Sequence, residues 1–309
     1  MRLPEGVTTR ALRPEDAAEV CALMMAAETA DVGEPFVDLP NLVGHWRRPS
    51  FDLATQTVGV VDGLLSGGPL VGYAEVSDGR YADVVVTPPH RGRGIGTALA
   101  WWTQEEARRQ GGTQVGMAVP LGSPGDALLT ALGYRVAWTS WILALPDGAA
   151  VVTQALPDGF SVRGMRPGAS RGEDERAAYR VVEDAFGEWP DRRSQTFEDW
   201  AARTVQRPGS GAEHLRLAVD AGGHVVGVSV LSVSHGVGVV DNLAVRRDHR
   251  GRGLARALLA DSFAVTRRQG ATRSELSTDS RTGALGLYER VGMVVTSTWL
   301  HRVAVFSAQ

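Results

Sequence analysis

The sequence predicts an α/β chain built from two copies of one unit, each a twisted mixed β-sheet flanked by helices. Three observations predict it. The length is 309 residues, about twice the ~150 residues of an ordinary domain. Residues 86–99 (VTPPHRGRGIGTAL) return at an offset of 159 as residues 245–258 (VRRDHRGRGLARAL). Within each copy, runs of apolar alternation change to helical periodicity and back several times.

The repeat extends beyond that segment. Residues 82–113 and 241–272 share 13 of 32 positions without a gap. Val71-Gly72 matches Val226-Gly227, and the Arg10…Arg13-Pro14 run matches Arg163…Arg166-Pro167. A repeat near 150 residues is a duplicated domain; solenoid units are shorter. Within residues 145–159 two Leu-Pro-Asp-Gly turns bracket a short segment and mark the joint. The expected domains are therefore 1–150 and 156–309.

The second copy is the clearer of the two. Phe160–Arg166 reads as a strand, stopped by Pro167. Residues 171–186 and Trp200–Val205 read as helices. Leu215–Val219 and Val225–Val233 are strands joined by the turn residues Asp220–Gly223. Gly238–Val245 is a third strand. A helix over 253–269 ends at Gly270. Thr272–Ser277 is a strand, Thr282–Arg290 a helix ended by Gly292, and Val294–Val305 the last strand. The order is β-α-α-β-β-β-α-β-α-β, and the first copy follows it.

Composition narrows the function. With 32 basic and 35 acidic residues the formal charge is -3, which lacks the basic excess of a nucleic-acid binder. Every basic residue is Arg, so no Lys Schiff base or P-loop lysine is available. The single cysteine, Cys21, makes neither an internal disulfide nor a Cys-rich metal site, which fits a reducing compartment. No apolar leader core and no run of ~18 apolar residues is visible, so a cytoplasmic protein off the membrane is expected, without a metal.

The chemistry lies in the repeated segment: strand, then Arg-x-x-Gly-x-Gly/Ala, then helix. It occurs as Arg91-Gly92-Arg93-Gly94-Ile95-Gly96-Thr97 and as Arg250-Gly251-Arg252-Gly253-Leu254-Ala255-Arg256. A helix N-terminus offers unpaired N–H groups and partial positive charge. Glycines let the backbone approach a bulky anion, and Arg adds charge-assisted hydrogen bonds. The segment thus predicts a phosphate or pyrophosphate site. The glycine spacing differs from the dinucleotide fingerprint, and two copies set between strand and helix differ from a disordered Arg-Gly tract.

On these residues both halves resemble the GCN5-related N-acetyltransferase (GNAT) superfamily, and the chain is similar to tandem GNAT proteins of the mycothiol-synthase type. The segment Ala284-Leu-Gly-Leu287-Tyr288-Glu-Arg-Val-Gly292-Met293 is similar to a second element of that family. The resemblance implies two tandem GNAT folds, acetyl-CoA as cofactor, and direct transfer of the acyl group to an amine. It places the pyrophosphate on both Arg-Gly segments. The acyl oxygen and pantetheine fall on backbone amides of Leu243, Ala244 and Val245, and in the first half on Val84, Val85 and Val86. It puts a proton-accepting carboxylate at Asp241 and a proton donor to the leaving thiolate at Tyr288. The residues alone leave open an ordinary strand-end Asp and a packed aromatic. Asn242 is expected on the opposite face from Asp241. Where the family has an Asn seven residues before the Tyr, this chain has Arg281; Asp279 and Ser280 are the substitutes at hand.

At the same offset Asp241 becomes Ala82 and Tyr288 becomes Leu129. The first half is therefore expected to keep the anion site and to be catalytically degenerate, binding acetyl-CoA or CoA without turnover or serving only as a structural partner. Asp83 is a substitute base at hand, but alternation turns it to the other face. On the acceptor side stand Phe186–Asp191 and Phe197–Trp200, where Glu188 and Trp189 suit a cationic amine or simply finish a helix. His235, His249 and His301 lack metal-ligand spacing; His90 and His249 sit in the two loops. Cys21 reads as core. The expected function is acetylation of a primary amine on a small molecule by a monomer or homodimer. The alternatives are acetylation of a cysteinyl pseudodisaccharide and a CoA-binding module without catalysis.

Overall fold

A computed structural model describes residues 1, 3–63, 67–149, 155–189 and 192–306. Part of the joint, residues 150–154, lies outside them, as do Pro190 and Asp191. The chain divides into two compact units, Met1–Ser140 with Ser297–Gln309, and Trp141–Thr296. Among the described residues no helix is long and apolar enough to cross a membrane.

Unit 1 runs β1 (Val7–Arg10), α1 (Ala17–Val32), α2 (Leu39–Trp46), α3 (Leu53–Gln56), β2 (Thr57–Asp62), β3 (Leu70–Ser77), β4 (Tyr81–Val86), α4 (Ile95–Arg109), β5 (Gln114–Pro120) and α5 (Pro124–Ala131), then the start of β6 (Arg135–Leu145). The sheet is antiparallel through β1-β2-β3-β4 and turns parallel at β4–β5. One face packs α1 and α2 around Val20, Cys21, Trp46 and Tyr73, which places Cys21 in the core as expected. The other packs α4 and α5 around Leu99, Ala107 and Leu129.

Unit 2 repeats this order. It runs β7 (Ser161–Gly164), α6 (Ser170–Phe186), α7 (Phe197–Arg203), β8 (Leu215–Val219), β9 (Val225–Ser234), β10 (Val237–Val245), α8 (Leu254–Arg268), β11 (Arg273–Asp279), α9 (Leu285–Arg290) and the start of β12 (Val294–Val305). Most expected elements lie within a few residues of these bounds. Helices α4 and α8 are fifteen residues each and start at the same point of the repeat. Gly270 and Gly292 take left-handed φ of 94° and 93° just past α8 and α9, as helix-ending glycines do.

The last strand of each unit comes from the other copy. In unit 1, residues Trp299–Val305 of β12 lie antiparallel on β5, with Trp299 opposite Pro120 and Val305 opposite Gln114. In unit 2, β6 lies beside β11, and its Leu143 and Leu145 enter the core with Leu276, Phe263 and Tyr288. Both strands have the β-rich, half-buried pattern that fits either sheet, so nothing local in the sequence separates the two pairings.

A repeated clamp sets the first helix of each copy. Arg10 reaches Asp16 at 2.7 and 2.9 Å while the Arg13 amide donates to the same carboxylate at 2.7 Å. Arg163 and the Arg166 amide do the same to Asp174, at 2.6, 2.9 and 2.8 Å. The duplicated Arg-x-x-Arg-Pro run is thus a strand-to-helix brace.

Candidate active site

In both units the sheet opens at the same place. Strand β10 pairs with β11 only from Val237–Arg273 to Val240–Leu276, and β4 meets β5 only at Tyr81–Gly116. Beyond those points β10 and β4 keep their outer partners, so the backbone groups on the inner edge face a gap. Amides alternate sides along a strand. Arg246 donates to Val226 at 2.9 Å, so the Ala244 amide also turns toward β9. Leu243 and Val245 are the two whose N–H groups face the gap, which removes Ala244 from the expected set of three. Thr87 donates to Val71 at 2.9 Å. By the same count Val84 and Val86 face the gap in unit 1, and Val85 does not.

The Arg-Gly segments follow directly. Gly92 and Gly94 have φ of 74° and 88°, and Gly251 and Gly253 of 77° and 81°. Only glycine holds this region without strain. A Cβ at any of these four positions would meet nothing within 4 Å, and all four glycines are exposed. Gly94 and Gly253 cap α4 and α8, whose first residues Ile95 and Leu254 are buried anchors. Gly96, Thr97, Ala255 and Arg256 follow in the first turn, half-buried.

The leading arginines act differently from the expected phosphate ligands. Arg91 donates to the Val86 carbonyl at 3.2 Å and forks onto Asp31 at 2.6 and 3.0 Å. Arg250 donates to the Val245 carbonyl at 3.1 Å and forks onto Glu188 at 2.9 and 3.0 Å. Each ties the strand end and the bend to the end of the first helix. The loop amides, and the exposed Arg93 and Arg252, remain to meet an anion, with Arg252 also donating to the Asp248 carbonyl at 3.3 Å. An acid at the same point of both copies, about sixty residues before the loop, was the signal for this brace.

That pairing also corrects the acceptor-side reading. Glu188 is committed to Arg250, whose hydrogen bonds hold its pKa below the usual carboxylate range. Trp189 stacks near Phe186 at 4.9 Å and carries the Arg281 guanidinium over its ring at 5.5 Å. Arg281 is itself tied to Asp279 at 2.6 Å. These residues brace the loop. His90 bonds Thr87 at 2.9 Å, and His249 bonds Asp248 at 2.8 Å. His301 stacks on Trp138 at 4.6 Å. Among the described residues no His, Cys, Asp and Glu group has metal-binding arrangement.

Asp241 lies where β10 opens. The register slips between Val240 and Asn242, so Asp241 is the extra residue of a β-bulge, a feature that re-aims a side chain. Its carboxylate meets Arg207 at 2.9 Å and Ser232 at 3.3 Å. Asn242 is in register with Val230, two residues from Ser232 and so on the same face. The bulge overturns the expectation that alternation separates Asp241 from Asn242. Tyr288 is 8% exposed, packed with Val240, Phe263 and Leu276, and burial pushes its hydroxyl up to about 12.

Unit 1 has no such bulge. Its β3–β4 register runs unbroken and sets Asp83 directly opposite Glu75, on the face of Tyr73, α1 and α2. The expectation that Asp83 turns away counted alternation from the bulged copy and is corrected. Asp83 lines a cavity of about 630 Å³ together with Glu28, Val84, Val86, Gly94 and Gly96, a volume typical of ligand sites. Leu129 closes part of its wall.

An opened sheet edge, unclaimed amides, left-handed glycines at a helix start and a long cavity fit a ligand with a diphosphate at one end and a thioester at the other. Independent comparisons agree with that chemistry. Mycothiol acetyltransferase of Salinispora arenicola is 33% identical over 296 residues, 92% of this chain and 92% of its own. A GCN5-related N-acetyltransferase structure from Sphaerobacter thermophilus is 32% identical, covering 98% of this chain and 97% of its own with a TM-score of 0.74. A tandem GNAT protein from the clavulanic acid biosynthesis pathway shares the fold at 20% identity and a TM-score of 0.69, over 98% and 99% of the two chains. The acetyltransferase (GNAT) family model matches residues 25–128 and again 175–293; the chain belongs to that family in both halves, and it is an acyltransferase that uses acetyl-CoA.

Proposed function

We propose that unit 2 moves the acetyl group of acetyl-CoA directly to a primary amine of a small molecule. The bound thioester supplies an acyl carbon open to attack. The amides of Leu243 and Val245 hold that end of the cofactor along β10, and the amides of the 251–254 bend hold its diphosphate. Asp241 takes the proton that an ammonium must lose before its nitrogen can attack. Arg207, 4% exposed and also bonded to the Leu231 carbonyl at 2.8 Å, orients that carboxylate. Tyr288 stays protonated at neutral pH and donates to the leaving sulfur. The observation that carries this reading is the bulge, which lifts one carboxylate to the mouth of the gap.

A narrower acceptor is favoured by the relatives named mycothiol acetyltransferase, similar over 92% of this chain: a cysteinyl pseudodisaccharide. Thiol release from acetyl-CoA, measured with that acceptor and with a panel of simple primary amines, tests both levels. A kcat/KM at least tenfold above the best simple amine is expected. Equal values would remove the narrow acceptor and leave the amine reading, while release with no amine would remove both.

A further inference from the structure

We propose that unit 1 is a second acetyl-transfer site, in which Asp83 takes the proton of a primary alkylammonium acceptor seated between Asp83 and the stacked rings of Trp138 and His301. This goes beyond the reading for unit 2 and shares with it only the donor, acetyl-CoA.

Two cavities meet at Asp83. The larger, about 630 Å³, runs from the Arg91–Gly94 bend along β4 and β5. The smaller, about 140 Å³, is lined by Arg80, Tyr81, Gln114, Trp138 and His301. Asp83, Met117 and Ala118 line both. They stand at the opening between β4 and β5, where a donor in the larger cavity and an acceptor in the smaller would meet. Asp83 is exposed to this space. Among the described residues no hydrogen bond or ion pair engages its carboxylate, whereas Asp241 is held by Arg207.

Its neighbours make it a base. Glu75 lies directly across the strand pair. It is kept anionic by His45 at 2.8 Å, by the Tyr73 hydroxyl and by Arg48, which together outweigh its burial. Glu28 on α1 faces the same cavity, with its carboxylate holding the Phe36 and Val37 amides. Asp31 is neutralised by Arg91. Arg80 and His301 line the smaller cavity. Desolvation, then Glu75 and Glu28, push Asp83 up to about 7, near the best value for a base at neutral pH. The same negative surroundings attract an ammonium, and the stacked rings suit its cationic end.

The step balances without a tyrosine. The ammonium gives one proton to Asp83. The freed nitrogen pair forms the C–N bond to the acetyl carbon, and the C–S bond breaks with its pair on sulfur. The second N–H proton passes through water to that sulfur, and Asp83 returns its own proton to solvent. A thiol with pKa about 8.5 needs no stronger acid than water-borne protons at neutral pH.

The test uses the full chain carrying Asp241→Asn and Tyr288→Phe, with acetyl-CoA and either phenethylamine or 1,4-diaminobutane. Amine-dependent thiol release is expected to persist and to rise through about pH 7. Adding Asp83→Asn should cut it by about 10²–10⁴-fold, and Asp83→Glu should restore part of it. Without any ligand, ¹³C-aspartate spectra should show one carboxyl titrating near 7 that Asp83→Asn removes. Because the folded value lies above the unfolded one, ionising Asp83 costs stability as pH rises; Asp83→Asn should melt no lower than its parent at pH 8. No amine-dependent release from the double variant, or release that Asp83→Asn leaves unchanged, overturns the proposal. Full wild-type release from the double variant, abolished by Asp83→Asn, would instead sink the reading for unit 2 and keep this one.

Discussion

Tyr288→Phe is expected to lower kcat for unit 2's acceptor by about 10²–10⁴-fold while KM for acetyl-CoA changes little. The substitution removes one oxygen from a residue that is otherwise core: its ring packs on Val240, Phe263, Leu276 and Met293. Among the described residues no hydrogen bond engages the Tyr288 hydroxyl, so folding gains nothing from it. Replacing an unbonded buried hydroxyl by hydrogen is neutral or mildly stabilising, and the variant should melt at or above the wild-type temperature. A large loss of rate with no loss of stability isolates the proton. Burial, which pushes the hydroxyl up to about 12, adds a second expectation: no alkaline fall in rate from this group below about pH 11. A rate within twofold of wild type would make Tyr288 a packing residue only.

Asp174→Ala should destabilise unit 2 by about 3 kcal/mol, the lower end of the range for breaking a buried ion pair. The Asp174 side chain is 1% exposed, and it accepts from Arg163, from Arg166 and from the Arg166 amide. Burial raises its pKa, but the hydrogen bonds from the two arginines outweigh that and leave it well below the usual range. The lower end applies because Arg163 and Arg166 are 29% and 46% exposed and recover water once freed. At ~2–4 °C per kcal/mol for a unit of this size, the melting temperature falls by about 6–12 °C. The sign with pH is fixed. A carboxylate whose folded pKa is depressed stabilises above the unfolded value of about 4, and that contribution is lost as pH falls toward the folded value. The gap between wild type and variant should therefore close below pH 4. A melting temperature unchanged at pH 7 would contradict the brace.

Most of this architecture was legible because the repeat reports on itself. The Arg-x-x-Gly-x-Gly/Ala segment, the matched helices α4 and α8, and the turn before Val225 each carry local chemistry that fixes local structure. Three features did not. The bulge at Asp241 depends on which residue of β9 meets Asn242, a choice made by pairing and invisible to alternation counted along one strand. That miscount put Asp83 on the wrong face of its sheet. The lodging of β12 on β5 is a tertiary choice between two similar edges. The commitment of Arg91 to Asp31 and of Arg250 to Glu188 joins residues some sixty positions apart. Local sequence shows neither pairing, so it offered those arginines to phosphate and left Glu188 open between the acceptor and a helix end.

Isothermal titration of the full chain with acetyl-CoA tests the central claim, that both bends are cofactor cradles, most directly. Two molecules should bind per wild-type chain. Gly94→Val or Gly253→Val forces a β-branched residue into φ near 88° or 81°, and each variant should bind one molecule. The double variant should bind none. A single molecule per wild-type chain, or a stoichiometry that neither valine lowers, would contradict the account.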